Sequence, residues 1–136
     1  MPISSVYMKK IIISNAAIDE NGHVNNVAYV QWMQDIAVEH YASIGGVEAQ
    51  GSEATWVVRE HRIEYLLPAF EGEEILIRTW IENLRRVRSL RKYEFARNSD
   101  DKVLVRGETE WVFVDIKTGS PRAVPDKVAK IFQTRM

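Results

Sequence analysis

Residues 26 to 44 form a strongly apolar segment that ends at Gly45-Gly46. Val27, Tyr29, Val30, Trp32, Met33, Ile36, Ala37, Val38 and Tyr41 occupy most of the circumference of the helix this segment would form. Gln31, Asp35 and Glu39 recur at i, i+4, with Gln34 alongside, and leave only a narrow polar stripe. A helix this apolar has to be wrapped by other elements rather than laid on a surface. Glycines just past the last turn are a helix stop. Whatever the chain folds into must therefore supply a cover for about five turns of helix.

The flanking segments read as that cover. Residues 6–14 are rich in β-branched and aromatic types and read as a strand, followed by a loop over 15–25. Residues 54–66 alternate and stop at Pro68, and 73–82, 88–97 and 102–115 are three further strand candidates joined by short polar connections. In the last of them Val103, Val105, Thr109, Trp111 and Phe113 share one face, and Arg106, Glu108 and Glu110 the other. Asp100-Asp101 marks a hairpin and Thr118-Gly119-Ser120-Pro121 a break. A short helix opened by Pro125 is expected over 125–133. Strand, long helix and four antiparallel strands make an α+β domain with one curved five-stranded sheet around one helix. With 136 residues and no repeat or linker-like stretch, residues 1–136 read as a single domain.

Composition narrows the function classes. The absence of cysteine excludes a disulfide scaffold and a thiolate metal site. A net charge of −1 gives no electrostatic reason to bind nucleic acid or a membrane surface. Ile11-Ile12-Ile13 is far too short for a membrane span or a signal peptide. The expectation is a soluble cytoplasmic protein.

Function is written most densely into Ile18-Asp19-Glu20-Asn21-Gly22-His23-Val24-Asn25-Asn26-Val27-Ala28-Tyr29, just before the apolar segment. A core has no use for so many polar side chains, since each one buried without a partner costs about 1–3 kcal/mol. They gather where a helix begins, so free N–H groups and the positive end of the helix dipole face the same spot. A carboxylate beside such donors suits hydrolysis. Each residue also has a plain structural reading. Asp19 suits an Asx turn before Gly22, His23 a loop closure, and Asn25 or Asn26 a helix N-cap. His40 and His61 lack partners at ligand spacing, and the Asp19/His23 pair is too little for a metal site.

The order of elements and the Asp19, His23, Asn25-Asn26 and Tyr29 series resemble the hotdog-fold thioesterases, in particular their 4-hydroxybenzoyl-CoA thioesterase-like branch. The His-Val-Asn-Asn run is also similar to the acyl-CoA and plant acyl-carrier-protein thioesterases. Arg62-Ile63-Glu64-Tyr65-Leu66, Pro68-Ala69, Gly72-Glu73 and Trp111-Val112-Phe113-Val114-Asp115 extend the likeness over nearly the whole chain. One departure stands out: where the plant enzymes carry a Glu-Cys pair tied to their site, this chain reads Pro68 and Ala69. The single-carboxylate scheme is accordingly the one the resemblance transfers.

That resemblance implies an acyl thioesterase acting on a coenzyme A or acyl-carrier-protein thioester, with no separate cofactor. Asp19 would be nucleophile or general base, His23 its companion, and backbone N–H groups near Asn26 and Val27 the oxyanion hole. Asn25 and Tyr29 are candidate substrate contacts, and Asp35 a candidate for a supporting role. Tyr29, Trp32, Met33 and Trp56 are candidate pocket walls or plain core. Arg85-Arg86-Val87-Arg88-Ser89-Leu90-Arg91-Lys92 places five cations in eight residues at a strand connection. It reads either as a solvated hairpin or, with Arg86, Arg88 and Ser89 foremost, as a contact for coenzyme A phosphates or an acidic carrier protein. A homodimer or homotetramer with the acyl pocket between subunits is also implied. Two other readings stay open: a hydratase or dehydratase on the same fold, and an acyl-thioester binder without turnover.

Overall fold

The computed structural model describes residues 2–133. Strand β1 (Tyr7–Ile12) leads through a 3₁₀ turn at Asn15–Ala17 to helix α1 (Asn26–Ser43) and a short helix α2 (Gly46–Gln50). Strands β2 (Ala54–Tyr65), β3 (Glu74–Leu84), β4 (Arg88–Arg97) and β5 (Val103–Asp115) follow, and helix α3 (Asp126–Phe132) closes the fold. The five strands form one antiparallel sheet in the order β1-β3-β4-β5-β2. This is the expected α+β arrangement of one sheet with one long helix. Among the described residues no helix is long and apolar enough to cross a membrane.

Strand alternation builds the floor on which α1 rests. Ile75 and Ile77 of β3, Tyr93 and Phe95 of β4 and Val105 of β5 are all buried. They form one apolar cluster with Tyr29, Met33, Ile36 and Ala37 of α1. Helix and sheet pack tightly at Gly107, where an added Cβ would lie 2.9 Å from the Met33 sulfur. A second cluster lies toward the other end of α1, where Ile81, Val128 and Phe132 are joined by Tyr41, Ile44, Trp56 and Leu84.

Three features depart from the sequence reading. β1 is shorter than the apolar run that announced it. The helix is not covered on all sides, because one sheet covers one face: Tyr29, Met33, Ile36, Ala37 and His40 are buried, whereas Val27 is 73% exposed. Gly45-Gly46 is also more than a stop. Gly45 reverses the chain at φ 84°, and Gly46 starts α2, where a side chain would bring its Cβ to 2.3 Å from the Tyr41 ring.

A polar layer separates the two clusters. Arg91 of β4 donates through Nη1 to His40 Nδ1 (2.8 Å) and to Thr79 Oγ1 (3.1 Å), and all three residues are buried. The His40 ring stacks on Tyr7 with centroids 5.1 Å apart. Accepting at Nδ1 requires the neutral imidazole with its proton on Nε2. Burial, aided by the Arg91 charge, lowers the His40 pKa from 6.5 to about 4. The unfolded chain therefore takes up this proton first as pH falls. The stability that neutral His40 provides is complete above pH 6.5 and is lost as pH drops toward 4, by at most about 3 kcal/mol. Urea midpoints across this window should fall accordingly. His40→Asn keeps an oxygen acceptor for Arg91 without a titrating group, and should flatten that part of the profile.

Candidate active site

The segment before α1 folds into a small hairpin. Ile18 and Val24 bridge, Asp19 N–H donates to the His23 carbonyl (3.0 Å), and Gly22 N–H donates to the Asp19 carbonyl (3.0 Å). Gly22 sits at φ 83°, a left-handed position that suits glycine in such a turn. Asp19 Oδ1 accepts the Asn21 N–H at 2.9 Å, which is the Asx turn anticipated as the structural reading. Oδ2 has no protein partner among the described residues. The hairpin is anchored at its base: Val24 N–H donates to the Ala69 carbonyl (2.9 Å) and Asn25 N–H to the Ala17 carbonyl (2.8 Å).

Asn25 is the N-cap of α1, and its side-chain oxygen accepts the Val27 N–H at 2.8 Å. This narrows the expected pair of oxyanion donors. Val27 N–H is committed to the cap, and Ala28 N–H to the Asn25 carbonyl (3.0 Å). Asn26 N–H has no acceptor among the described residues, so it is the first-turn donor left to face a ligand. Asn25→Ala should cost about 1 kcal/mol through loss of the cap, read as a lower thermal midpoint, and Asn25→Ser should recover most of it.

A groove of about 270 Å³ opens beside this helix start, lined by His23, Asn26 and Tyr29 together with Tyr65, Leu66 and Leu67. His23 packs edge-on against Phe70 at 6.4 Å. Tyr29 is buried between Trp32, Tyr65 and Phe95, with ring centroids 5.1–5.8 Å away. Burial, then the neighbouring Tyr65 and Glu73, pushes the Tyr29 pKa up to about 12. Its hydroxyl therefore stays protonated near neutral pH, and it offers a hydrogen bond rather than a base. The Tyr65-Leu66-Leu67 wall was missed in the sequence; three apolar residues running past a strand end toward Pro68 were its signal.

The structure brings His23, Asn26 and Tyr29 together in the groove, with Asp19 at the foot of the same hairpin. It does not bring Arg86, Arg88 and Ser89 together. Arg86 is exposed in the β3–β4 hairpin, and Arg88 is exposed with Glu110 at 3.5 Å. Ser89 points the opposite way and is 2% exposed. Successive strand residues face opposite sides, which splits the basic run in two and also sends Arg91 into the interior. The hairpin lies at the far end of β3 from the Asp19 loop, roughly 30 Å away along an eleven-residue strand. Of the other candidates, Asp35 accepts from Gln31 Nε2 (2.8 Å), Glu39 pairs with Lys9, and Met33 is core.

Residues 14–132 match the family model of the Thioesterase-like superfamily. No functionally curated protein matches the chain. The 1,4-dihydroxy-2-naphthoyl-CoA thioesterase of Synechocystis shares the fold with a TM-score of 0.83 at 15% identity, over 94% of this chain and 96% of that one. The 12:0-ACP thioesterase of Umbellularia californica gives 0.84 at 17% identity, over 96% of this chain and 51% of that one. A DHNA-CoA thioesterase of Staphylococcus aureus gives 0.76 at 23% identity, over 87% and 80%. At such identities the likeness shows the fold, a hotdog of one helix against one curved antiparallel sheet.

Proposed function

The chain belongs to the thioesterase-like superfamily, and we propose on that premise that it hydrolyses an acyl thioester of coenzyme A or an acyl carrier protein to the free acid and thiol. The observation that carries this reading is a hairpin in which Asp19, with one carboxylate oxygen outside the Asx turn, pairs with His23, and His23 lines the groove beside a helix start whose Asn26 N–H is unengaged. Asp19 Oδ2 attacks the thioester carbonyl or takes the proton from an attacking water. Asn26 N–H, at the positive end of α1, stabilises the oxygen as it becomes anionic. His23 lies at the groove wall and orients the thioester or the water. Tyr29, Leu66 and Leu67 give the acyl group an apolar seat.

Among the described residues, edge strand β2 has no strand neighbour on its outer side, so most of its outward N–H and C=O groups lack a ladder partner, with Val57 and Tyr65 exposed. A second copy pairing along this edge would satisfy them. Within one copy, Arg86 and Arg88 lie too far from Asp19 to hold the phosphates of a thioester cleaved there. They serve the substrate only if another copy presents them.

The test is free-thiol release from a panel of short, medium, long and aromatic acyl-CoAs and matching acyl carrier proteins. Thiol released in proportion to acid supports the reading. Turnover of an enoyl or hydroxyacyl thioester with the thioester intact would instead identify a hydratase. Binding of a thioester analogue without turnover of any substrate would identify a carrier.

A further inference from the structure

We infer that the pocket at the C-terminal half of α1 is a second ligand site, built for a small apolar carboxylate whose head group meets Ser89 and Arg91. The pocket has a volume of about 180 Å³ and is lined by Ala37, Tyr41, Trp56 and Trp111 around Ser89 and Arg91. It shares no residue with the groove beside Asn26, and Ala37 lies eight residues further along the helix than Tyr29, about 12 Å away.

Its polar groups are unmatched in one sense. Arg91 is 3% exposed, and no ion pair among the described residues includes it. Its two protein acceptors, His40 Nδ1 and Thr79 Oγ1, are neutral and both take hydrogens from the same nitrogen, Nη1. A guanidinium carries five N–H donors, and a buried cation without a counter-charge is strongly unfavourable. Ser89 Oγ is buried and has no hydrogen-bond partner among the described residues. Among the described residues the buried indole nitrogens of Trp56 and Trp111 have no acceptor in good hydrogen-bond geometry, their nearest being the hydroxyls of Tyr41 and Tyr93.

Among Ser89, Arg91 and the two indoles, unmatched donors therefore outnumber unmatched acceptors, and the Tyr41 hydroxyl in the same pocket is also without a partner among the described residues. A carboxylate reverses that balance: it brings only acceptors and one negative charge, and fits the guanidinium fork. The aromatic walls and the volume set the rest of the ligand. A cavity of about 150 Å³ holds benzene, so this one holds a benzoate-sized ring or an aliphatic acid of roughly six to eight carbons. Thioester hydrolysis releases acids of this class, but binding at this pocket does not depend on that activity.

The test is isothermal titration of the full chain with sodium benzoate and with hexanoate. Benzamide serves as the neutral match, and the Trp56 and Trp111 indole N–H resonances report the location. Saturable benzoate or hexanoate binding that shifts both indoles, with benzamide at least tenfold weaker, is expected. Ser89→Ala should weaken it about tenfold or more, the loss of one hydrogen bond to a charged group. Arg91→Met should abolish it, and if that variant does not fold, Ser89→Ala carries the test. Asp19→Asn should bind as the parent does, whatever its turnover, which separates this site from the hydrolytic one. No binding at millimolar concentration, equal binding of benzamide, or shifts confined to the groove beside Tyr29 would each overturn the assignment.

Discussion

Asp19→Asn should lower thiol release about 10²–10⁴-fold while leaving the thermal midpoint nearly unchanged. The two halves of this expectation come from two oxygens of one side chain. Oδ1 holds the Asx turn by accepting the Asn21 N–H, and asparagine can keep that bond. Oδ2 is the unengaged oxygen, and its replacement by an amide nitrogen removes both the nucleophile and the base. Asp19→Ala loses the turn as well, so it should show a similar loss of rate together with a lower midpoint. If the aspartate were only a turn former, asparagine would turn over like the parent and alanine would suffer solely through stability. Paired rates and melting curves for the two variants separate these cases, and parent-like rates in Asp19→Asn would sink the proposed mechanism.

Phe95→Ala should destabilise the fold by about 3–5 kcal/mol, a large part of the roughly 5–15 kcal/mol that holds a domain of this kind together. Phe95 is fully buried on β4, with Tyr29 edge-on at 5.1 Å and Trp32 at 6.4 Å. Removing the ring deletes apolar burial and leaves a cavity beneath the first two turns of α1. The damage reaches the groove because Tyr29 is both the cover of Phe95 and a groove wall. A shifted urea midpoint gives the energetic cost. A loss below about 1 kcal/mol would show that α1 settles into the space, contrary to the packing described here.

Much of the fold was legible because β3 and β4 alternate between buried and more exposed residues. In β5 period two correctly buries Val105, Thr109 and Phe113 and exposes Arg106, but Leu104, Val112 and Val114 on the second face are buried as well; β4 runs over the residues expected. Pro125 and Asp100-Asp101 mark the last helix and a hairpin by chemistry that tertiary context does not override. Helix α2 was hidden because Gly45-Gly46 reads as a stop. Only the ring of Tyr41, whose position no local pattern gives, explains the second glycine.

The candidate site was legible in its composition and less so in its wiring. Asp19, His23 and Asn26 stand out as polar residues before an apolar helix. Which of the two asparagines caps, and which N–H is thereby left over, depends on a single hydrogen bond. The interior position of Arg91 was not legible, for a deeper reason. In a run of five cations, strand alternation sends every second residue inward whatever its charge, and a buried arginine is rare enough that charge suggests the surface. Ser89, which the sequence groups with Arg86 and Arg88, faces the interior by the same alternation.

The layer of Thr79, Arg91 and His40 has a consequence for how the domain yields. Apolar clusters that are not continuous need not melt together, since cooperativity follows shared contacts. The smaller cluster holds α3 through few side chains, Val128 and Phe132 above all, and the larger one holds the strands beneath α1. The end that holds α3 should therefore open more readily than the end that carries the hairpin and the helix start. Amide exchange faster in α3 than in the centre of β4 is the observable form of that difference.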